Sequence, residues 1–190
     1  MTTHQTTDRD RVVLAKYLHE AHGKEQQLET ALKSQIALAQ RPGFEHALHE
    51  HLMVTQDQIV ALEQRLYELD DLIEHRPPGL AAAEAVVGLV GTVANKSLAI
   101  AKAPLLALRG TSQPDNELRT LRDCYWNEAE EIAHYRVIET LAEQVGDHET
   151  AELARKHRAE EEAMQTTLEG LLPSLVREVV ATESDAASAA

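Results

Sequence analysis

Hydrophobic residues recur at alternating intervals of three and four along four separate segments of this 190-residue chain. Such spacing places side chains on one face of an α-helix, whereas a half-buried strand alternates at every second residue. No strand-like alternation competes with it. The four stripes lie in residues 14–32, 48–73, 118–135 and 154–175. The pattern therefore predicts four long amphipathic helices and an all-α fold.

Turn signals separate these segments. Arg41-Pro42-Gly43 follows the first stripe, and Gly146-Asp147 separates the third from the fourth. We expect Asp115, after Pro114, to cap the third helix. Short links predict antiparallel hairpins, and the only long link joins the second segment to the third. Two hairpins with one long connection are typical of a four-helix bundle.

The long crossover, about residues 77–114, is rich in helix formers and predicts one or two additional helices. It is also the most apolar part of the chain, so we expect it to be an oligomer-facing surface and the protein to be a homo-oligomer. Residues 1–180 should form a single bundle domain. Residues 181–190 are small and polar, and we expect a flexible tail there.

Charge and composition exclude several classes of partner. Lys and Arg number 18 against 32 Asp and Glu, which gives a net charge of −14. A chain this acidic, with no basic stripe, is not expected to bind nucleic acid. The longest uncharged run in the crossover, residues 85–95, is shorter than the roughly 20 residues that a membrane span needs. A single cysteine and a polar N-terminus without a signal-like stretch favour a cytoplasmic location.

Acidic residues interrupt the apolar stripes. Glu25 and Glu128 occupy positions where a leucine is expected, and His157 and Glu161 are successive positions of the fourth stripe. Buried carboxylates are unfavourable unless a positive charge neutralises them. Glu131 lies three residues after Glu128, and Glu160 three after His157, so each pair shares a helical face.

The turns set the level of these residues along the bundle. Glu131 and Glu161 are equidistant from the Gly146-Asp147 turn, so they should face each other. His134 and His157 form a second equidistant pair. Opposite Glu25 lies Val54 or Thr55 rather than an acid, and His51 is the nearest candidate ligand on the second helix, roughly one turn away.

Several inward carboxylates with one or two imidazoles suit Fe or Mn, and less selectively Zn. The run Glu131-Ile132-Ala133-His134 also matches the Glu-x-x-His pattern of di-iron bundles. The alternative is that these residues have structural or solvent-exposed roles and bind no metal. Glu160 can pair with Lys156, four residues away on a solvated face, and His51 and His134 taken singly are more often structural. Tyr125, Trp126 and Tyr135 flank the acids and can in principle pass electrons, but helix-spaced aromatics are more often core.

Two blocks of the chain resemble a known family. They comprise Glu25-Gln26-Gln27-Leu28 with residues 51–58, and residues 128–135 with 141–146 and Glu160-Glu161. These are similar to the YciE/YciF-type bacterial stress proteins. The resemblance implies a ferritin-like fold and a di-iron carboxylate centre with an inferred ferroxidase role. At the positions that match the family pattern, the resemblance implies that the metal ligands are Glu25, His51, Glu128, Glu131, Glu160 and Glu161.

The chain departs from that family on the second helix, where Met53 and Val54 stand in place of two acids. The pattern therefore lacks one expected ligand, and the site can be dinuclear, mononuclear or degenerate. Our hypothesis is an iron-binding, stress-related protein that oxidises Fe(II) with dioxygen or peroxide. The predicted metal ligands are Glu25, His51, Glu128, Glu131, His157, Glu160 and Glu161. The alternative hypothesis is a metal-free helical scaffold or stress-associated oligomer.

Overall fold

The computed structural model of the chain describes residues 7–74 and 112–188, and these residues form four long helices without a strand. The helices are α1 (Asp8–Leu38), α2 (Pro42–Glu74), α3 (Gln113–Val145) and α4 (His148–Ser188). The predicted all-α fold of four helices is therefore confirmed.

Short turns join the helices in two antiparallel hairpins. In the turn between α3 and α4, Gly146 adopts a left-handed conformation with a φ of 78°, which ends α3 at the predicted glycine. Asp147 then accepts a hydrogen bond from the backbone N–H of Thr150 and caps α4. The hairpins pack side by side, with α1 against α3 and α2 against α4. This is the predicted arrangement of a four-helix bundle.

The start of α3 differs from the prediction. Its N-cap is Ser112, whose hydroxyl accepts from the backbone N–H of Asp115, so the proposed capping role of Asp115 is wrong. Pro114 lies within the first turn, where its missing N–H leaves no helical hydrogen bond unmade. One turn later the buried Glu117 accepts from the backbone N–H groups of Gln40 (2.7 Å) and Arg41 (3.1 Å). This carboxylate fixes α3 to the α1–α2 turn.

The interior contains two apolar cores with a polar layer between them. The first core lies towards the α3–α4 turn and includes Leu14, Leu18, Leu62 and Ile138. The second lies towards the α1–α2 turn and includes Leu32, Phe44, Leu48, Leu121 and Leu168. Aliphatic side chains above and below thus shield the polar layer from water.

The predicted stripe on α1 is confirmed in full: all six of its positions are buried, Leu14, Leu18, Ala21, Glu25, Leu28 and Leu32. On α2 five of the eight predicted positions are buried, Leu48, Thr55, Leu62, Leu66 and Leu69. Leu52 and Ile59 are only half-buried, whereas His51 and Gln58 are buried. The interior of α2 is consequently more polar than its pattern of apolar residues indicates.

Three predictions concern parts of the chain beyond the bundle. The extra helices and the oligomer surface of the crossover fall on residues 75–111, which lie outside the described residues. Residues 181–188 form the last two turns of α4 with exposed side chains, and their flexibility stays a prediction. Within residues 7–74 and 112–188, no helix has an apolar stretch long enough to cross a bilayer.

Candidate metal centre

The polar layer receives side chains from all four helices. Glu25 comes from α1, Glu128 and Glu131 from α3, and His157 and Glu161 from α4; each is at most 5% exposed. The α2 helix adds three neutral side chains, His51, Thr55 and Gln58, which are at most 3% exposed. Acids on three helices therefore face neutral donors on the fourth.

Four of these residues form a tight group: His51, Glu128, Glu131 and Glu161 each offer one ligand atom, and these atoms all lie within 4.8 Å of one another. Nε2 of His51 is 3.2 Å from Oε2 of Glu128 and 3.6 Å from Oε2 of Glu161. The sequence placed His51 about one turn from the level of Glu25, and the structure brings it against acids of α3 and α4 instead. One imidazole and three carboxylates thus converge in a space that a single ion can share.

Glu25 adjoins this group through Tyr135. The hydroxyl of Tyr135 donates a hydrogen bond to Oε1 of Glu25, whereas Oε2 of Glu25 is buried and accepts none. On the other side of the tyrosine, the ring of His157 packs edge to face at a centroid distance of 5.1 Å. Both ring nitrogens of His157 are buried without a hydrogen-bond partner. Glu25 and His157 lie beside the four-residue group, and their roles as ligands stay predictions.

Glu160 lies at the edge of the layer. Its side chain is 28% exposed and is 3.5 Å from Nζ of Lys156, as the alternative interpretation of this residue expected. The amide of Gln58 donates to Oε2 of Glu160 (3.1 Å) and to Oε1 of Glu161 (2.5 Å). Gln58 was missed from sequence, although it lies seven residues after His51 and therefore on the same helical face. A ligand role for Glu160 stays a prediction.

The two departures on α2 have different consequences. Met53 is 68% exposed, so a side chain at this position lies on the outer surface of α2. Val54 is half-buried, four residues before Gln58 on the side of α2 that faces α4. The absence of an acid at residue 53 therefore removes no ligand from the buried layer.

The flanking aromatic residues are divided between core and surface. Tyr135 is buried, as expected of a core aromatic, and Tyr125 is half-buried with its hydroxyl 2.8 Å from Glu169. Trp126 is 72% exposed, so its interpretation as core is wrong. His134 is half-buried and lies outside the four-residue group.

Burial sets the protonation of the layer. Loss of hydration, together with the charge of neighbouring carboxylates, raises the pKa of Glu25, Glu128 and Glu161 to about 8. The pKa of Glu131 is raised well above its ordinary value for the same reasons. Burial lowers the pKa of His51, and that of His157 to about 4. The layer therefore favours neutral carboxyl groups and neutral imidazoles near neutral pH.

A divalent cation reverses this preference, because its charge stabilises ionised carboxylates. The neutral imidazole of His51 already has the protonation state that a metal ligand requires. Carboxylate oxygens with one imidazole nitrogen are donors that first-row metals accept. The buried cluster of histidine and glutamates can therefore hold a metal ion.

Solved structures of three bacterial proteins share this fold. The stress protein YciF of E. coli is 22% identical with a TM-score of 0.65, over 90% of this chain and 98% of that one. A protein from Xanthomonas campestris pv. campestris is 19% identical with a TM-score of 0.66, over 92% and 99%. YcfI of Rhodopseudomonas palustris is 22% identical with a TM-score of 0.64, over 89% and 97%.

No curated protein sequence matches the chain. A family match covers residues 10–97 and 107–181, which include almost the whole of the four helices and every residue of the polar layer. The resemblance to YciF-type proteins is thus confirmed by both the sequence match and the fold. The chain belongs to the family described as Domain of unknown function (DUF892).

Proposed function

We propose that this protein binds Fe(II) in the buried cluster and oxidises it to Fe(III) with dioxygen or peroxide. The observation that supports the proposal is the convergence of His51, Glu128, Glu131 and Glu161 in a layer shielded by two apolar cores. No lysine or arginine appears among the groups that contact these four side chains in the described residues. A bound cation makes the ionised form of several buried acids compatible with a stable core.

Iron is the substrate, and each Fe(II) gives one electron to the oxidant. The carboxylates of Glu128, Glu131 and Glu161 are hard oxygen donors, and they stabilise the higher charge of Fe(III) relative to Fe(II). Their protons leave as the cation enters, because ligation requires the ionised form. His51 supplies neutral nitrogen, and the amide of Gln58 holds one oxygen of Glu161 in place.

The polar layer consists of the four-residue group and the adjoining residues Glu25 and His157, and this division bears on how many metal ions bind. The four-residue group offers ligands for one ion, with one oxygen of each acid within 4.8 Å of the others. Glu25 has one oxygen without a partner and is electrostatically coupled to Glu161 and Glu131. We propose that Glu25 and His157 complete a second, weaker position when two ions bind. Mn or Zn can occupy the same donors.

A stress-related role suits this chemistry, since the reaction consumes Fe(II) together with an oxidant. The E. coli neighbour is described as a stress protein. We extend that role to this chain as part of the proposal, with the cytoplasm as the expected compartment.

Metal analysis after aerobic purification, followed by absorbance during Fe(II) addition, tests the proposal. We expect bound iron and oxidation faster than in buffer, and both should be lost in the double variant Glu128→Ala with Glu131→Ala. The matched control is Glu45→Ala with Glu50→Ala, which removes the same charge from the exposed side of α2. If the wild-type protein takes up no metal and the double variant Glu128→Ala with Glu131→Ala leaves the oxidation rate unchanged, a metal-free scaffold is the better description.

A further inference from the structure

The α1–α3 groove is the surface seam between these two helices, which contribute Glu25, Glu128 and Glu131 to the buried layer. At its rim the Nζ of Lys24 on α1 forms an ion pair with Glu130 on α3, and the two side chains are 37% and 48% exposed. Glu130 precedes the buried Glu131 in the chain. The ion pair therefore lies between solvent and a member of the four-residue group.

His134 lies one helical turn after Glu130 on α3. It lies four residues after Glu130 and three after Glu131, so all three share one side of the helix. Its Nε2 is buried and has no hydrogen-bond partner, although the residue as a whole is only half-buried. An imidazole nitrogen in this state is available to a cation and otherwise costs desolvation energy.

The opposite groove, between α2 and α4, is closed by hydrogen bonds. There the amide of Gln58 connects Glu160 with Glu161, and Lys156 lies 3.5 Å from Glu160. Entry on this side requires two hydrogen bonds to break before Glu161 is reached. In the α1–α3 groove, the surface contact is the Lys24–Glu130 ion pair, and the hydrogen bond from Tyr135 to Glu25 lies deeper between the same helices.

From this geometry we infer that divalent cations reach the cluster through the α1–α3 groove, with Glu130 and His134 as a transient binding station. The inference rests on the proposed metal-binding function and adds the route of entry to it. Glu130 exchanges Lys24 for the incoming ion, His134 contributes its free nitrogen, and the ion passes to Glu131.

A transient station changes the rates of binding but not the equilibrium, because it contacts the ion only on the way. Stopped-flow absorbance with Co(II), whose visible bands report ligation, measures both rates. We expect His134→Gln to slow association and dissociation by a similar factor, about tenfold, with little change in Kd. Glu130→Gln should slow association, and Lys24→Gln should accelerate it, most clearly at low salt where charges steer the ion.

Lys156→Gln is the matched control, since it removes an equivalent lysine from the other groove and should leave the association rate unchanged. The inference is overturned if His134→Gln leaves both rates unchanged, or if it weakens binding through faster dissociation alone, as expected of a resident ligand. It is also overturned if Lys156→Gln rather than Lys24→Gln accelerates binding. Absence of any Co(II) spectrum in the wild-type protein instead contradicts the proposed function. Circular dichroism confirms that each variant is folded.

Discussion

The hydroxyl of Tyr135 on α3 donates a hydrogen bond to one carboxylate oxygen of Glu25 on α1, in the centre of the bundle. Both residues are 1% exposed. The contact connects the two hairpins at the level of the candidate metal centre. It also divides the Glu25 carboxyl into an oxygen that is satisfied and an oxygen, Oε2, that accepts no hydrogen bond. Tyr135 therefore determines which oxygen of Glu25 remains available to a ligand.

Removal of this donor should destabilise the metal-free protein. We expect Tyr135→Phe to lower the free energy of unfolding by about 1–3 kcal/mol, because Oε1 of Glu25 stays buried without a partner. Urea denaturation in the presence of EDTA measures the effect. Tyr125→Phe is the control, since the Tyr125 hydroxyl bonds to the exposed Glu169 and water can replace it.

A second variant separates the hydrogen bond from packing. Changing Glu25 to Leu in the Tyr135→Phe background removes both polar partners, so part of the stability should return. If Tyr135→Phe costs no more than Tyr125→Phe, the buried hydrogen bond does not contribute as described.

The acids of the site could be predicted from sequence because they interrupt strong apolar stripes. Glu25, Glu128 and Glu161 each occupy a seam position whose neighbours one turn away are mostly apolar, and all three are buried. Equidistance from the α3–α4 turn also predicted correctly that Glu131 and Glu161 come together. On α1, α3 and α4, the positions that the spacing of apolar residues selects are therefore the positions that helix packing buries.

The stripe of apolar residues on α2 predicted only part of the buried column. Leu52 and Ile59 form a regular ladder, but His51 and Gln58 lie one position away and point inward. The apolar face of a packed helix is at least 100° wide, so adjacent columns satisfy the same pattern. Only the packing of α1 and α4 against α2 decides which column is central. This ambiguity hid Gln58.

The stability of the metal-free protein should fall as the pH rises above neutrality. The pKa of Glu25, Glu128 and Glu161 is about 8 in the folded state against an ordinary value of 4.5. Between these values the folded state retains protons that the unfolded chain has released, so the free energy of unfolding decreases with pH. The lowered pKa of His51 and His157 has the opposite effect, but only below their ordinary value of 6.5. From pH 6.5 to 8 the carboxyl groups therefore dominate.

Urea denaturation in EDTA at pH 6.5 and at pH 8 measures this dependence. The double variant Glu25→Gln with Glu161→Gln should show a smaller decrease, because two of the titrating groups are gone. Saturating Co(II) should reverse the trend in the wild-type protein, since metal binding releases protons and strengthens with pH. A metal-free protein that is equally stable or more stable at pH 8 contradicts the raised carboxyl pKa values.

A separate network holds α2 to the α3–α4 turn. The guanidinium of Arg65 donates from Nη2 to both oxygens of Asp147 at 2.8 Å, and its Nε donates to Thr150 at 2.8 Å. Asp147 is 8% exposed and caps α4. Arg65→Met should therefore lower the free energy of unfolding by about 3 kcal/mol, because it leaves a buried carboxylate without its counter-charge.

Lys33→Met is the control for Arg65→Met, since Lys33 pairs with Glu29 on the surface and such pairs contribute less than about 1 kcal/mol. Asp147→Asn should recover part of the loss in the Arg65→Met background, because the amide oxygen still caps α4 and carries no charge. Thermal denaturation of the four proteins provides the comparison. Equal effects of Arg65→Met and Lys33→Met would contradict a buried ion pair.

The two positions of α2 that lack acids allow a paired test of the site. Val54 is half-buried on the side of α2 that faces α4, whereas Met53 is 68% exposed. We expect Val54→Glu to tighten Co(II) binding by about tenfold, because it adds a carboxylate beside the cluster. The same change should destabilise the metal-free protein, since one more acid becomes partly buried.

Met53→Glu adds the same charge on the outer surface and should change neither the Co(II) affinity nor the stability of the metal-free protein. Co(II) titration and urea denaturation measure the two effects, and identical Co(II) affinities of the two variants would show that charge alone, rather than its position on α2, determines metal binding.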